Sequence, residues 1–119
     1  MKILVIGTGY VGLVTGACFA FNGNKVVCLD IDKKKIDKLN NGDVPIFEPG
    51  LSRIVKRSIQ NNCLTFSMDY IKSIQESDVI FLCVGTPVKA NGESDIKYIS
   101  NAAKSIGEFI DSYKLVVVK

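Results

Sequence analysis

Residues 1–30 read MKILVIGTGYVGLVTGACFAFNGNKVVCLD, and the order of parts in that stretch decides the fold. Residues 2–6, KILVI, are a short apolar run that halts at a glycine cluster, as a strand buried in a parallel sheet does. Gly7, Gly9 and Gly12 follow in the spacing G-x-G-x-x-G. From Tyr10 to about Phe21 the chain is apolar on nearly every side, which predicts a helix buried against the sheet, and Asn22-Gly23-Asn24 stops it. Residues 25–30, KVVCLD, are rich in β-branched side chains and read as a second strand that closes on an acid. A glycine motif alone is promiscuous. Set between a strand and a helix, with an acid at the tip of the next strand, it points to a dinucleotide site.

Each glycine then has its own task. Gly7 permits the tight turn off the first strand, Gly9 lets the backbone approach a pyrophosphate, and Gly12 lets the helix pack close to the sheet. Gly16, one turn on, extends that contact. The amides of Tyr10 and Val11 open the helix, where unpaired N–H groups and the helix dipole favour phosphate. Asp30 selects the cofactor, because a carboxylate accepts hydrogen bonds from both ribose hydroxyls and repels a 2′-phosphate. NAD is therefore favoured over NADP. Lys33, Lys34 and Lys35 complicate that choice, since an ammonium beside the ribose would tolerate a phosphate. Lys33 and Lys34 read as a solvated basic face, while Lys35 is placed to fold back over the ribose. All three crowd the positive end of a helix dipole, so local electrostatics do not explain them.

Downstream, Asp32 caps a helix through about Leu39, and Asn40-Asn41-Gly42 closes it. The loop DVPIFEPGL carries two prolines and leads into a helix over 51–60, with Leu51, Ile54, Val55 and Ile59 at helical spacing. A weaker strand over 63–67, a short helix over 69–75 and a continuous buried strand over 79–84 follow. That strand ends in Gly85-Thr86-Pro87, on the rim where open α/β sheets bind ligands. Thr86 has a hydroxyl to offer a cofactor and Gly85 allows close approach, although a plain strand-ending turn also fits. A helix from Asp95 to about Ile110 and a last strand over 115–118 complete the chain. The alternation predicts an α/β fold: a single Rossmann-type, doubly wound parallel sheet with helices on both faces. The chain stops inside its last strand, which a complete domain seldom does, so a piece of a longer protein is expected.

Composition removes several classes. The chain has 119 residues, 47% of them hydrophobic, enough for one domain with a real core. The net charge of +3 is small and its lysines are dispersed, which gives no nucleic-acid footprint. No apolar stretch approaches the ~18 uncharged residues of a membrane span. A signal peptide does not fit either, because glycines interrupt the first apolar run. A cytoplasmic protein is expected. There is no histidine, which excludes Ser-His-Asp and Cys-His catalysis. Cys18, Cys28, Cys63 and Cys83 form no C-x-x-C pair, so no metal site is expected, and all four read as small buried hydrophobes.

The segments GTGYVGL, CLDIDKKKIDKLNNG, PIFEPGL and FLCVGTP with NGESD occur in one order. Together they resemble the N-terminal NAD-binding domain of the UDP-glucose/GDP-mannose dehydrogenase family, its UDP-glucose 6-dehydrogenase branch most of all, over essentially all 119 residues. PIFEPGL is far more specific than the glycine motif. The resemblance implies oxidation of a UDP-sugar C6 alcohol to a carboxylate, with two NAD consumed in succession and a cysteine thiohemiacetal between the steps. It implies that Gly7, Gly9, Tyr10, Val11 and Gly12 hold the pyrophosphate. Asp30 and Lys35 would hold the adenine-side ribose, and Thr86, next to Gly85, would approach the nicotinamide half. Glu48 falls in a loop near the active-site mouth without a catalytic role, and Phe47 stands where the family has tyrosine.

The family's catalytic cysteine lies in a G-G-x-C-F-P-like segment that this sequence lacks, so no catalytic residue is assigned and the chain alone is expected to bind NAD without turnover. The UDP-sugar would be read by a C-terminal region, and the parent would dimerise through a central helix. An uncovered last strand would favour self-association of the isolated chain. Two alternatives stand beside this one. The nucleotide-sensing regulatory domains of potassium channels and transporters share the opening motif but lack PIFEPGL. Other NAD-dependent dehydrogenases, acting on hydroxyacyl or 6-phosphogluconate substrates, are the third possibility.

Overall fold

A computed structural model describes all residues, Met1–Lys119. Five strands, β1 (Lys2–Ile6), β2 (Lys25–Leu29), β3 (Leu64–Ser67), β4 (Val79–Leu82) and β5 (Leu115–Val118), form one sheet in the order β3-β2-β1-β4-β5. Every pair is parallel. The helices are α1 (Tyr10–Phe21), α2 (Lys33–Asn40), α3 (Leu51–Gln60), α4 (Tyr70–Glu76) and α5 (Lys97–Phe109). The doubly wound Rossmann-type sheet expected from the sequence is thus the architecture found.

Alternation along the strands divides the core in two. From β1, Ile3 and Val5 join Val26 and Cys28 of β2 under Leu13 and Ala17 of α1, Leu39 of α2 and Val55 of α3. Leu4 and Ile6 point the other way, with Leu29, Ile80 and Leu82, against Ile74 of α4 and Ala102 and Ile106 of α5. Three helices therefore cover one face and two the other. Chain order reverses at β1, whose neighbours are β2 and β4. β1 and β4 stay paired to their carboxyl ends, Ile6 beside Leu82, but the connections leaving them run to opposite faces, to α1 on one and α5 on the other, which opens the crevice in which such sheets bind ligands.

Element ends differ from the sequence reading by one or two residues. β2 stops at Leu29, which leaves Asp30 just beyond the strand; β4 stops at Leu82, and α5 starts at Lys97. Asp32 and Asp69 cap α2 and α4 by accepting the amides of Lys35 and Lys72. The cysteine reading needs correction. Cys28 and Cys83 are buried, but Cys18 is exposed on the outer side of α1 and Cys63 is half-buried before β3. An apolar run in a helix that touches the sheet on one side still turns part of its circumference to water.

Lys114, at the start of β5, is the one buried lysine. Its ammonium donates to the carbonyls of Gln75 and Ser77, each at 2.8 Å, and to Ser112 Oγ at 3.2 Å. This ties the α4–β4 turn to the loop before β5. No helix is long and apolar enough to cross a membrane.

Candidate cofactor site

The glycine turn is built by close approach. Gly7 has φ +102°, and a Cβ there would stand 2.7 Å from the Cys83 carbonyl oxygen. That combination of left-handed backbone and contact with the end of β4 admits only glycine. A Cβ on Gly12 would collide with the Gly7 carbonyl oxygen and lie 3.2 Å from Cys83 Cβ. One on Gly16 would meet Cys28 Sγ at 2.5 Å. Gly12 and Gly16 therefore let α1 sit directly on the sheet, as expected.

Gly9 behaves differently. Nothing lies within 4 Å of a Cβ built on it, and it provides no side-chain cap for α1. Protein packing does not require glycine there; a ligand approaching the backbone would. The first amides of α1 have no intrahelical acceptors, so the open space beside Gly9 is lined by unpaired N–H groups at the positive end of the helix dipole. A pyrophosphate fits that chemistry.

Beside this turn runs a cleft of ≈ 630 Å³ along the carboxyl rim of the sheet. Of the residues expected at the site, it brings together Gly7, Gly9, Asp30, Lys35 and Gly85. Tyr10 and Val11 are exposed at the head of α1 outside the lining, Gly12 is buried beneath it, and Thr86 is exposed on the rim next to Gly85.

Asp30 sits at the centre. Its Oδ2 accepts the Thr8 amide at 2.9 Å and the Thr8 hydroxyl at 2.6 Å, and its Oδ1 accepts the Asp32 amide at 3.0 Å. Lys35 Nζ lies 3.5 Å from Oδ2. Burial pushes the carboxyl pKa upward, but the hydrogen bonds and the Lys35 charge outweigh it and hold the group below its ordinary value. Asp30 is thus an anion with an ammonium alongside. Two of the three clustered lysines find partners here: Lys33 pairs with Asp37 at 2.7 Å and Lys35 with Asp30. These pairs oppose the unfavourable end of the α2 dipole, which the sequence reading did not foresee.

Several cleft residues were not anticipated. Thr8 is buried under Asp30. Tyr70 is placed in the wall by the Asp69 cap of α4, and desolvation followed by the Asp30 charge raises its phenol pKa. From α5 come Lys97, Asn101 and Ser105. Their spacing of four is one helical stripe, a signal present in the sequence but indistinguishable there from a solvated face. Cys83 also lines the cleft, yet desolvation raises its pKa despite Lys119, and desolvation with Cys83 nearby pushes Cys28 up to about 12. Neither thiol is an activated nucleophile.

The PIFEPGL loop lies across α1 from the cleft. Ile46 packs on the core, Leu51 is buried, and Gly50, at φ +81°, caps α3. The Tyr10 hydroxyl donates to Glu48 Oε2 at 2.5 Å, which ties the loop to the head of α1; that bond and the carboxylate charge raise the Tyr10 pKa. Phe47 is 94% exposed.

Comparison with known proteins agrees with this geometry. Residues 1–119 match the UDP-glucose/GDP-mannose dehydrogenase family, NAD binding domain. UDP-glucose 6-dehydrogenase TuaD of Bacillus subtilis (strain 168) is 53% identical over 118 residues, which are 99% of this chain and 26% of that protein. Among solved structures, GDP-mannose dehydrogenase from Pseudomonas aeruginosa superposes with a TM-score of 0.96 at 40% identity, over 99% of this chain and 28% of the other. UDP-glucose dehydrogenase from the archaeon Pyrobaculum islandicum gives 0.93 at 33% identity, over 99% and 28%. The chain thus spans about a quarter of the length of these relatives. It belongs to the UDP-glucose/GDP-mannose dehydrogenase family and forms an NAD binding domain of it.

Proposed function

We propose that residues 1–119 are the cofactor-binding domain of an NAD-dependent enzyme that oxidises the C6 alcohol of a UDP-sugar, UDP-glucose first, to a carboxylate. The 53% identity to a UDP-glucose 6-dehydrogenase over nearly the whole chain carries this reading. NAD supplies the hydride acceptor. Conversion of an alcohol to a carboxylate removes four electrons, so two NAD are consumed per sugar, with a cysteine-bound thiohemiacetal between the steps. The nucleophile belongs to the parent protein outside these residues, and so does the sugar-reading surface.

The chain's own residues seat the cofactor. Gly7 and Gly9 give backbone access to the pyrophosphate, assisted by the free amides of Tyr10, Val11 and Gly12. Asp30, with Lys35 beside it, holds the adenine-side ribose, and Gly85 and Thr86 flank the path toward the nicotinamide. The match along all 119 residues favours this over a channel-type nucleotide sensor. We further propose that the parent is a homodimer in the cytoplasm. Four unpaired cysteines agree with a reducing compartment. Exposed Leu115, Val116 and Val118 on β5 support self-association of the isolated chain.

The test compares the full-length protein with the 119-residue chain. The full-length protein should yield two NADH per UDP-glucose, and the chain alone should bind NAD and yield none. NADH formation by the chain at an enzymatic rate would refute the division of labour. A full-length protein inert toward UDP-sugars would refute the substrate class.

A further inference from the structure

Thr8 stands between the first two glycines of the turn, a position where the glycine motif asks for no particular side chain. It is 1% exposed, and both its donors, the hydroxyl at 2.6 Å and the amide at 2.9 Å, converge on Asp30 Oδ2. A carboxylate has about four acceptor positions. Thr8 takes two on Oδ2, and the Asp32 amide takes one on Oδ1 at 3.0 Å. Lys35 Nζ, 3.5 Å from Oδ2, lines the cleft on its own account.

We propose that Thr8 is a positioning residue that sets cofactor choice: by fastening Oδ2 it fixes the Asp30 rotamer, so that the remaining Oδ1 acceptor position meets the ribose and the negative charge bars a 2′-phosphate. This rests on Asp30 as the ribose anchor. Two donors on one oxygen hold the carboxylate in one orientation, with the Lys35 ammonium 3.5 Å from that same oxygen. Without the hydroxyl, Oδ2 is held by the Thr8 amide alone and closes further on the Lys35 ammonium, which rotates Oδ1 out of its place. The ribose then loses an oriented acceptor, and a 2′-phosphate faces a less exposed anion. A merely structural clamp would change stability alone; a positioning role changes the ratio of NAD to NADP affinity.

The experiment uses the ¹³C,¹⁵N-labelled 119-residue chain, titrated with NAD and with NADP by NMR, for wild type, Thr8→Val, Thr8→Ser and Asp30→Asn. Thr8→Val keeps the β-branch and volume but deletes the donor. A hydrogen bond to a charged group corresponds to roughly tenfold or more in an equilibrium constant. The NAD:NADP affinity ratio should therefore fall about tenfold in Thr8→Val and recover in Thr8→Ser. The Asp30 carboxyl carbon should titrate at higher pH in Thr8→Val.

An unchanged ratio in Thr8→Val, alongside a reduced ratio in Asp30→Asn, overturns the role of Thr8 while sparing the ribose anchor. An unchanged NAD affinity in Asp30→Asn overturns both. Should Thr8→Val fail to fold, Thr8→Ala carries the same comparison, and the ratio decides in the same way.

Discussion

Replacing Gly12 with alanine tests how closely α1 sits on the sheet. Alanine is favoured over glycine in a helix by up to about 1 kcal/mol, so propensity alone predicts stabilisation. The new methyl, however, would collide with the Gly7 carbonyl oxygen and press on Cys83 Cβ. The Gly7 carbonyl shares its peptide plane with the Thr8 amide, which donates to Asp30 Oδ2 at 2.9 Å, so that oxygen cannot rotate aside. Either α1 lifts off the strands or the turn deforms. Overpacking of this kind costs about 1–3 kcal/mol and occasionally more. With backbone as the obstacle, the upper end applies, for a net loss of about 2 kcal/mol after the propensity gain. Gly107→Ala is the control, because it is also helical, is exposed, and a Cβ there has nothing within 4 Å. It should gain up to about 1 kcal/mol. Urea unfolding followed by circular dichroism separates them: at a slope of about 1–3 kcal/mol per molar, the midpoint drops for Gly12→Ala and rises for Gly107→Ala. A Gly12→Ala midpoint equal to or above wild type would show that the close approach of α1 carries no energetic weight.

Four further outcomes are expected. Asp30→Ala should weaken NAD binding by about 1–3 kcal/mol, read by calorimetry, and unchanged affinity would remove Asp30 from the cofactor site. Because the folded-state pKa of Asp30 is depressed, its stabilising contribution is present above the unfolded carboxylate pKa of about 3.9 and is lost as pH falls through the lower folded value. Acid unfolding curves of wild type and Asp30→Ala should therefore converge below about pH 4; a constant separation at all pH values would contradict the assignment. Glu48→Gln should lower the pKa of the Tyr10 phenol toward its ordinary value, followed by phenolate absorbance, and no change would mean the Tyr10–Glu48 bond does not persist in solution. In native protein a thiol reagent should modify Cys18 first and Cys28 only on unfolding; early loss of Cys28 would contradict its burial.

The fold was legible because its parts are local. KILVI, the glycine turn and the β-branched run to Asp30 each declare one element, and alternation of strand and helix then dictates a parallel sheet. The site was legible where a residue type has a single use, as with Gly7 at positive φ or an acid at a strand tip. It was obscure where function depends on convergence from distant segments. Nothing local distinguishes Thr8 from any other turn residue until Asp30, 22 residues on, is folded against it. Tyr70 reaches the cleft only because α4 starts where the sheet order puts it. Cys18 went the other way: an apolar neighbourhood in sequence says little about which side of a helix faces water.

The sheet order has a consequence for synthesis on the ribosome. β1 is the first element made and the central strand of the finished sheet, yet its partner on one side begins at Val79, opposite Ile3 and 76 residues later (79 − 3). At about 5–20 residues per second, that edge waits roughly 4–15 s for β4 while β2, α1 and β3 are already available on the other side. A half-assembled sheet with the apolar edge of KILVI unpaired is a template for association between nascent chains. The topology that creates the cofactor crevice between β1 and β4 therefore also fixes the interval during which the emerging chain most needs protection.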